Sequence, residues 1–453
     1  MNDKIFKSYD IRGIYNEEFN NNDVKIIAQA YLQEIARIGK KEIKDLKIII
    51  SRDIRHSSPE ITNTFIEEVI KYGVQIYDLG LMPIDAIYYL VGKDNYDGGV
   101  MITASHNPPV YGGIKMLATK VEAIRGIRIK EVIKELKEIS KIEGNKKELD
   151  IWDRYIEHIL SFVNLENIKS FKIVVDAGNA MAGITIPKIF SKIPQIEVVE
   201  LFFELDGDFP SRDPNPLNEG AADKLIAKVK EAKADLGAIF DADSDRIFLV
   251  DEKGNFIKGD QILILLSEKI LKDNPGASII YNLICSKAVP DIVEKLGGKA
   301  IRSEVGYANV KKHMEEENGI IGGEVSGHFS FKNNYYSDCA YAALLMILEI
   351  LSLKNEQLSS LVEKNKIYYR ANELNITIDD IPLALNKLRK KYKENIRDEI
   401  DGLTVEFYNG GLLNWWFNVR ASNTEPLLRI TVEAKDKEIA EKYQKELLEI
   451  INN

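Results

Sequence analysis

Cysteine is nearly absent: the 453 residues hold only Cys285 and Cys339. Two cysteines cannot build a secreted disulfide scaffold, and such scarcity points to a reducing compartment. Each reads as a small buried hydrophobe rather than a nucleophile. No Cys-x-x-Cys pair or histidine-rich metal spacing occurs among the five histidines. Long apolar runs are also missing. The most apolar one, residues 341–353, is interrupted by Glu349 and falls short of the ~20 residues a bilayer requires; it reads as a core helix. The opening Asn2-Asp3-Lys4 is not followed by a signal-like segment. Basic charge is not in surplus either. Lys and Arg number 61 against 71 Asp and Glu, a formal net charge of −10, which argues against wholesale nucleic-acid binding. The densest basic run, Arg389-Lys390-Lys391-Tyr392-Lys393, is followed at once by Glu394 and reads as a solvated helix face. What remains is a soluble, cytoplasmic protein with no membrane or nucleic-acid partner.

What is present is ordinary globular composition, 45% hydrophobic and 29% charged, in a chain too long for one core. A short apolar strand, a polar or glycine-containing turn and an amphipathic helix follow one another three times. In the first third the strands fall at 46–50, 74–77 and 99–103, with a helix at 59–72 opened by Pro59. In the second they fall at 172–175, 196–201, 236–240 and 247–250, with a helix at 219–232. The third has helices at 261–271 and 289–296 and strands at 278–281 and 319–322. Such alternation implies mixed or parallel sheets covered by helices. From residue 367 the rhythm changes, which suggests a separate α+β domain. The expected joints are 141–150, 251–255 and 354–366.

Two turns carry the chemistry. Thr103-Ala104-Ser105-His106-Asn107-Pro108 follows an apolar strand; Pro108 restrains the turn and leaves Ser105 at a strand end, where α/β sheets place their sites. A serine-hydrolase reading lacks Gly-x-Ser-x-Gly. Adjacent side chains of an extended chain also point opposite ways, which sets His106 against a direct bond to Ser105. The second turn, Asp241-Ala242-Asp243-Ser244-Asp245-Arg246, ends a strand. Period-two spacing sends its carboxylates to one side. Without a cation they would repel and raise one another's pKa; a hard divalent ion with oxygen ligands resolves that. Glu252 holds the twelfth position of an EF-hand, but Arg246 stands where that loop needs glycine. Magnesium is the better fit, with a phosphate on Ser105 able to supply a further ligand.

Three further turns are polar. In Gly323-Glu324-Val325-Ser326-Gly327-His328, Glu324 and Ser326 can bond sugar hydroxyls; alone, the segment is equally a glycine-kinked strand end. Arg420-Ala421-Ser422-Asn423-Thr424-Glu425-Pro426, between strand-like segments 415–419 and 428–432, suits a phosphate dianion, although a plain Ser/Asn turn is the alternative. In Tyr9-Asp10-Ile11-Arg12-Gly13, Arg12 is as consistent with an ordinary ion pair as with phosphate contact.

These five segments, in this order, resemble the α-D-phosphohexomutase superfamily, most closely its phosphomannomutase/phosphoglucomutase branch, over nearly the whole chain. The resemblance implies three related mixed-sheet α/β domains plus a smaller C-terminal α+β domain around a central cleft. The expected divisions are 1–150 with a phosphoserine loop, 151–251 with a metal loop, 252–366 with a sugar loop and 367–453 with a phosphate loop. It implies that Ser105 carries the phosphoryl group and, with Asp241, Asp243 and Asp245, ligates Mg²⁺. Arg246 would position phosphate, Lys115 would act as acid/base, and His106 and His328 would assist. Tyr9, Arg12, Glu324, Ser326, Arg420, Ser422, Asn423 and Thr424 would bind substrate.

The implied activity interconverts hexose 1-phosphate and hexose 6-phosphate, of glucose or mannose, with hexose 1,6-bisphosphate as intermediate and activator, in a monomer or homodimer. Phosphoglucosamine mutase, a metal-dependent phosphatase and a non-catalytic sugar-phosphate binder are the alternatives. The Tyr-Asp-Ile-Arg-Gly opening favours hexose over glucosamine phosphates. Two departures bear on preference: Tyr111-Gly112-Gly113 replaces the family's usual Tyr-Asn-Gly, and Gly306-Tyr307 occupies a region that carries a polar substrate contact in some relatives. Gly112, beside Ser105, is expected to influence the choice of hexose.

Overall fold

The computed structural model describes residues 1–378, 380–421 and 427–452. The chain forms two compact units, Met1–Ile262 with Ser326–Ser359, and Leu263–Val325 with Ser360–Asn453. Residues 252–366 are therefore shared between them.

The first unit begins with a seven-stranded sheet in the order Ile11–Ile14, Tyr111–Ala118, Gly98–Ile102, Lys47–Arg52, Gln75–Leu81 and Asn145–Glu148, with Glu122–Ile124 added beside Tyr111–Ala118. Gly98–Ile102, Lys47–Arg52, Gln75–Leu81 and Asn145–Glu148 run parallel; Tyr111–Ala118 is antiparallel to both its main neighbours. Ile48, Ile49 and Ile50 are all fully buried, because helices cover both faces. Gly98 abuts Tyr31 of helix Asn21–Gly39, while Gly99 abuts Ile87 of helix Ile84–Lys93. A continuous apolar run without alternation is the expected signature of such a strand. Helix Asn21–Gly39 starts at a capping box between Asn20 and Asp23.

A second sheet has the order Phe256–Ile257, Ile247–Asp251, Leu236–Phe240, Phe171–Asp176 and Ile196–Leu201, the last three parallel. The antiparallel pair Phe329–Phe331 and Ser337–Asp338 also belongs to this unit, as does helix Ala340–Lys354. That helix is buried on nearly every side. Its one acidic residue, Glu349, accepts from Asn164 N at 3.2 Å and Asn167 Nδ2 at 2.8 Å. A buried carboxylate is tolerated when it is bonded in this way.

In the second unit Lys299–Ser303, Ser278–Asn282 and Ile321–Gly323 form a parallel array. The C-terminal sheet is antiparallel, in the order Tyr369–Arg370, Leu427–Ala434, Leu412–Ala421, Leu403–Asn409 and Ile396–Asp398, with Leu374–Thr377 also paired to Leu427–Ala434. Helices Ile381–Lys391 and Lys437–Asn452 accompany it. The architecture is α/β with mixed sheets, closed by a distinct α+β tail, as the sequence rhythm implied.

Three local expectations change. The polar stretch 141–150 is not a bare joint: Asn145–Glu148 adds to the sheet edge beside Gln75–Leu81. All four of its residues are exposed, so backbone pairing holds it and its charges guard the edge. Residues 354–366 contain the helix Leu358–Lys364, anchored by buried Leu358, Leu361 and Val362 at helical spacing. The helix expected from residue 219 begins at Asp223. The basic run closes helix Ile381–Lys391, with Arg389 and Lys391 paired to Glu399 and Glu446. Cys285 and Cys339 are both buried and unbridged.

Asp85 lies buried in the first turn of helix Ile84–Lys93. It accepts from Tyr155 Oη at 2.5 Å and from Cys339 Sγ at 3.3 Å. Burial pushes its pKa up to about 7, against the opposing pull of those bonds. An unfolded aspartate titrates near ~3.9. Because the folded value is the higher one, the stabilising contribution is complete below the unfolded value and is lost as pH rises through the folded one. Asp85→Asn should remove this dependence. Relative to the variant, the wild type is expected to lose on the order of 4 kcal/mol between about pH 4 and pH 7, read as the difference in urea midpoints. Parallel pH profiles would contradict this.

Candidate active site

The serine turn is built by a left-handed residue. Ser105 has φ +49°, so the chain is not extended there, and the expected opposition of neighbouring side chains fails. Ser105 Oγ lies 3.2 Å from His106 Nδ1 and donates to Asp241 Oδ2 at 3.2 Å. Thr103 Oγ1 accepts from Ser105 N at 2.8 Å and reaches Asp243 Oδ2 at 3.5 Å. The hydroxyl of Ser105 is thus directed at the acidic turn from a buried position.

Lys115 arrives by strand register. It stands opposite Met101 in the antiparallel pair that leads into the serine turn. Its Nζ donates to Asp243 Oδ2 at 2.8 Å and to Asp245 Oδ2 at 2.7 Å. Burial works against its charge, but the two aspartates outweigh that and raise its pKa. Arg12 works in the opposite, lowering direction without prevailing. The two aspartates thus favour the charged form of Lys115.

The acidic turn is a genuine turn rather than an extended strand end. It links Leu236–Phe240 to Ile247–Asp251, which pair antiparallel from Phe240 opposite Ile247. Ser244 takes φ +62°, and this bend gathers the carboxylates. One oxygen from each of Asp241, Asp243 and Asp245 lies within 4.8 Å of the others. Burial, then the charges of Asp245 and Asp243, push the Asp241 carboxyl well above the usual range. Burial acts on Asp245 likewise, yet Lys115, His328 and Arg246 hold it well below. Among the described residues the buried Asp243 Oδ1 accepts no hydrogen bond, and Asp245 Oδ1 has His328 Nε2 no nearer than 3.5 Å. An all-oxygen set with unspent lone pairs and excess negative charge fits a hard divalent cation.

Arg246 N donates to Asp241 Oδ1 at 3.2 Å, and its Nε donates to His328 Nε2 at 3.2 Å. A backbone bridge between Arg246 and His328 brings this histidine to the turn. Ser326 Oγ lies 2.9 Å from His328 Nδ1. Arg12 donates from Nε to Asp10 Oδ2 at 2.7 Å, and from Nη1 to Ala104 O at 3.2 Å and Asn107 Oδ1 at 2.9 Å. It is both an ion-pair partner and a clamp on the serine turn. Tyr9 is half-buried just before it.

In the second unit Glu324 is buried, and its Oε1 accepts from Asn282 Nδ2 at 3.0 Å and Gly306 N at 2.8 Å. Gly306 holds φ +116°, a conformation open to glycine that turns its N–H onto Glu324. Arg420 is buried near the end of Leu412–Ala421, opposite Arg429. Burial lowers its pKa, with Asp401 and Glu373 opposing. Among the described residues its Nε has no hydrogen-bond partner, which suits an anion. Ser422, Asn423 and Thr424 lie outside the described residues.

Sequence reasoning missed Arg55, Thr103, Asn282 and the Gly306 amide. It also misplaced Gly112. A Cβ there would come within 2.8 Å of Ile61 Cδ1, 3.1 Å of Ser57 Oγ and 3.4 Å of Phe19, so Gly112 serves close packing against the first sheet's core.

The chain matches the phosphoglucomutase/phosphomannomutase alpha/beta/alpha domains I, II and III over residues 3–143, 153–254 and 258–368, and the C-terminal domain over 373–450. It is 35% identical over 454 residues to a phosphomannomutase of Methanocaldococcus jannaschii, covering 99% of this chain and 97% of that one. A phosphomannomutase/phosphoglucomutase of Pseudomonas putida is 33% identical over 441 residues, covering 95% and 92%. The crystal structure of a phosphoglucomutase/phosphomannomutase family protein from Burkholderia thailandensis superposes with a TM-score of 0.87 at 30% identity, covering 100% of this chain and 98% of that one. The chain belongs to the phosphoglucomutase/phosphomannomutase family and is a phosphohexomutase, an isomerase that interconverts hexose 1-phosphate and hexose 6-phosphate.

The acidic turn yields a direct test. Titration calorimetry with Mn²⁺ as probe should detect one divalent ion per chain, and Asp243→Asn should weaken that binding at least about 10-fold. Unchanged affinity in the variant would place the ion elsewhere.

Proposed function

We propose that the enzyme works through phosphorylated Ser105 and a hexose 1,6-bisphosphate, on glucose or mannose phosphates. The observation that carries this reading is the meeting of Ser105 Oγ with Asp241 at 3.2 Å, while Lys115 grips Asp243 and Asp245 at 2.8 and 2.7 Å. A phosphoryl group on that hydroxyl would face three carboxylates, and a divalent cation between them is what makes such a neighbourhood favourable. Asp241, Asp243 and Asp245 would hold Mg²⁺, which when bound offsets the charge of carboxylates and phosphoryl oxygens.

Phosphoserine passes its phosphoryl group to the free hydroxyl of the hexose phosphate: the P–O bond to Ser105 breaks and one to the sugar oxygen forms. Lys115 gives a proton to the departing serine oxygen and recovers one from the sugar hydroxyl, so the step balances. The second phosphate of the bisphosphate then returns to Ser105 by the reverse exchange. Arg246 and His328 steady the acidic turn, and His106 lies beside the serine oxygen. Within the second unit, Glu324 offers its carboxylate to sugar hydroxyls, and Arg420, with Ser422, Asn423 and Thr424, offers donors to the phosphate that is not transferred. Within the first unit, Ser326 and Tyr9 offer further polar groups to substrate, and Arg12 adds charge beside the serine turn.

The hexose assignment follows the Tyr9–Gly13 opening and the names borne by the relatives. A panel of glucose, mannose and glucosamine phosphates, assayed with Mg²⁺ and a trace of hexose 1,6-bisphosphate, should give the highest kcat/KM with glucose or mannose. A glucosamine phosphate in first place would overturn the preference. Ser105→Ala should lose more than about 1,000-fold in kcat; wild-type turnover in that variant would remove Ser105 from the mechanism.

A further inference from the structure

Ser105 sits in a backbone region that costs a non-glycine residue roughly 1–2 kcal/mol, so something must hold it there. The Thr103 hydroxyl bonds its amide, while its carbonyl is taken by Arg55. That arginine is fully buried in the loop between strand Lys47–Arg52 and helix Ser58–Val69. Its Nη2 donates to the carbonyl oxygens of Ser105 and Asn107. Its Nη1 donates to those of Pro108 at 2.7 Å and Tyr111 at 3.3 Å. All four acceptors are backbone oxygens of residues 105–111, the serine turn and the start of the strand after it, so the guanidinium fixes the course of the chain.

Arg55 is itself immobilised. Nε lies 3.2 Å from Asp53 Oδ2. Asp53 Oδ1 accepts from Arg55 N at 3.0 Å and from Ser58 Oγ at 2.5 Å. The ring of Phe209 stacks against the guanidinium with its centroid 5.0 Å away. With the guanidinium sealed in this way, no face of Arg55 is open to a substrate. A planar fork with five donors can span several carbonyls at once, whereas a lysine ammonium cannot.

We propose that Arg55 is the positioning residue that holds Ser105 in the left-handed conformation from which its oxygen carries and passes on the phosphoryl group. The inference rests on the reading of Ser105 as the phosphate carrier. Without the fork, Ser105 relaxes toward extended backbone, and its oxygen turns away from His106 Nδ1 and Asp241. Substrate recognition elsewhere is untouched, so the loss falls on kcat and not on KM.

The test uses the full-length enzyme with Arg55→Lys, Arg55→Ala and the double variant Asp53→Asn/Arg55→Met. The double variant removes both buried charges and so guards against misfolding from an unpaired carboxylate. Thermal melting identifies the folded variants. Each folded variant should lose about 100-fold or more in kcat while KM stays within about threefold. Guanidinium ion at non-denaturing concentration should restore part of kcat in Arg55→Ala but not in Ser105→Ala. Wild-type kcat in any folded Arg55 variant would overturn the inference, as would a loss carried by KM alone. The underlying reading fails differently: Ser105→Ala itself would then turn over. If Ser105→Ala is inactive and the Arg55 variants are not, only the positioning role falls.

Discussion

Keeping three buried carboxylates side by side is the constraint on which the candidate site depends. In a medium of low effective dielectric their repulsion amounts to kilocalories, and each must also forgo water. Among the described residues Lys115 bonds Asp243 and Asp245, Arg246 approaches Asp241 and Asp245 at 3.6 and 3.9 Å, and His328 Nε2 lies 3.5 Å from Asp245 Oδ1. The raised pKa of Asp241 is the residue of that imbalance. A divalent ion cancels it, and a phosphate nearby then finds a favourable field. The register of Met101 with Lys115 and of Phe240 with Ile247 decides which charges meet.

The architecture was legible because the central strands of its sheets are buried runs and many of its helices carry a periodic apolar face. The unbroken Ile48-Ile49-Ile50 run and the distinct antiparallel tail both follow from that. Boundaries were harder. Asn145–Glu148 has no buried side chain, so only its backbone pairing marks it as a strand; composition carries no trace of that. The helix Leu358–Lys364 was hidden by its polar exposed residues, although Leu358, Leu361 and Val362 held the signal.

At the site, the residues that bear charge or a nucleophile were legible by type and spacing, while the local geometry was not. Ser105 and Ser244 adopt left-handed conformations that serine has no intrinsic preference for, so both turns were read as extended. Extended spacing correctly gathered the aspartates but wrongly parted Ser105 from His106. Arg55 escaped because its partners are carbonyl oxygens, which every residue possesses. The only trace it leaves is a charged residue three positions beyond a strand whose middle is buried. Gly112 was misjudged for a related reason: proximity in sequence to Ser105 says nothing about which face of the sheet it occupies, and that face is the core.

The account stands on phosphate residing at one oxygen. Incubating the enzyme with hexose 1,6-bisphosphate labelled in phosphorus, then digesting it and mapping the label, addresses this most directly. The label should be found on the peptide containing Ser105, and it should leave on addition of unlabelled hexose phosphate. A label on another peptide, or one that stays on the protein while the sugar turns over, would contradict the account.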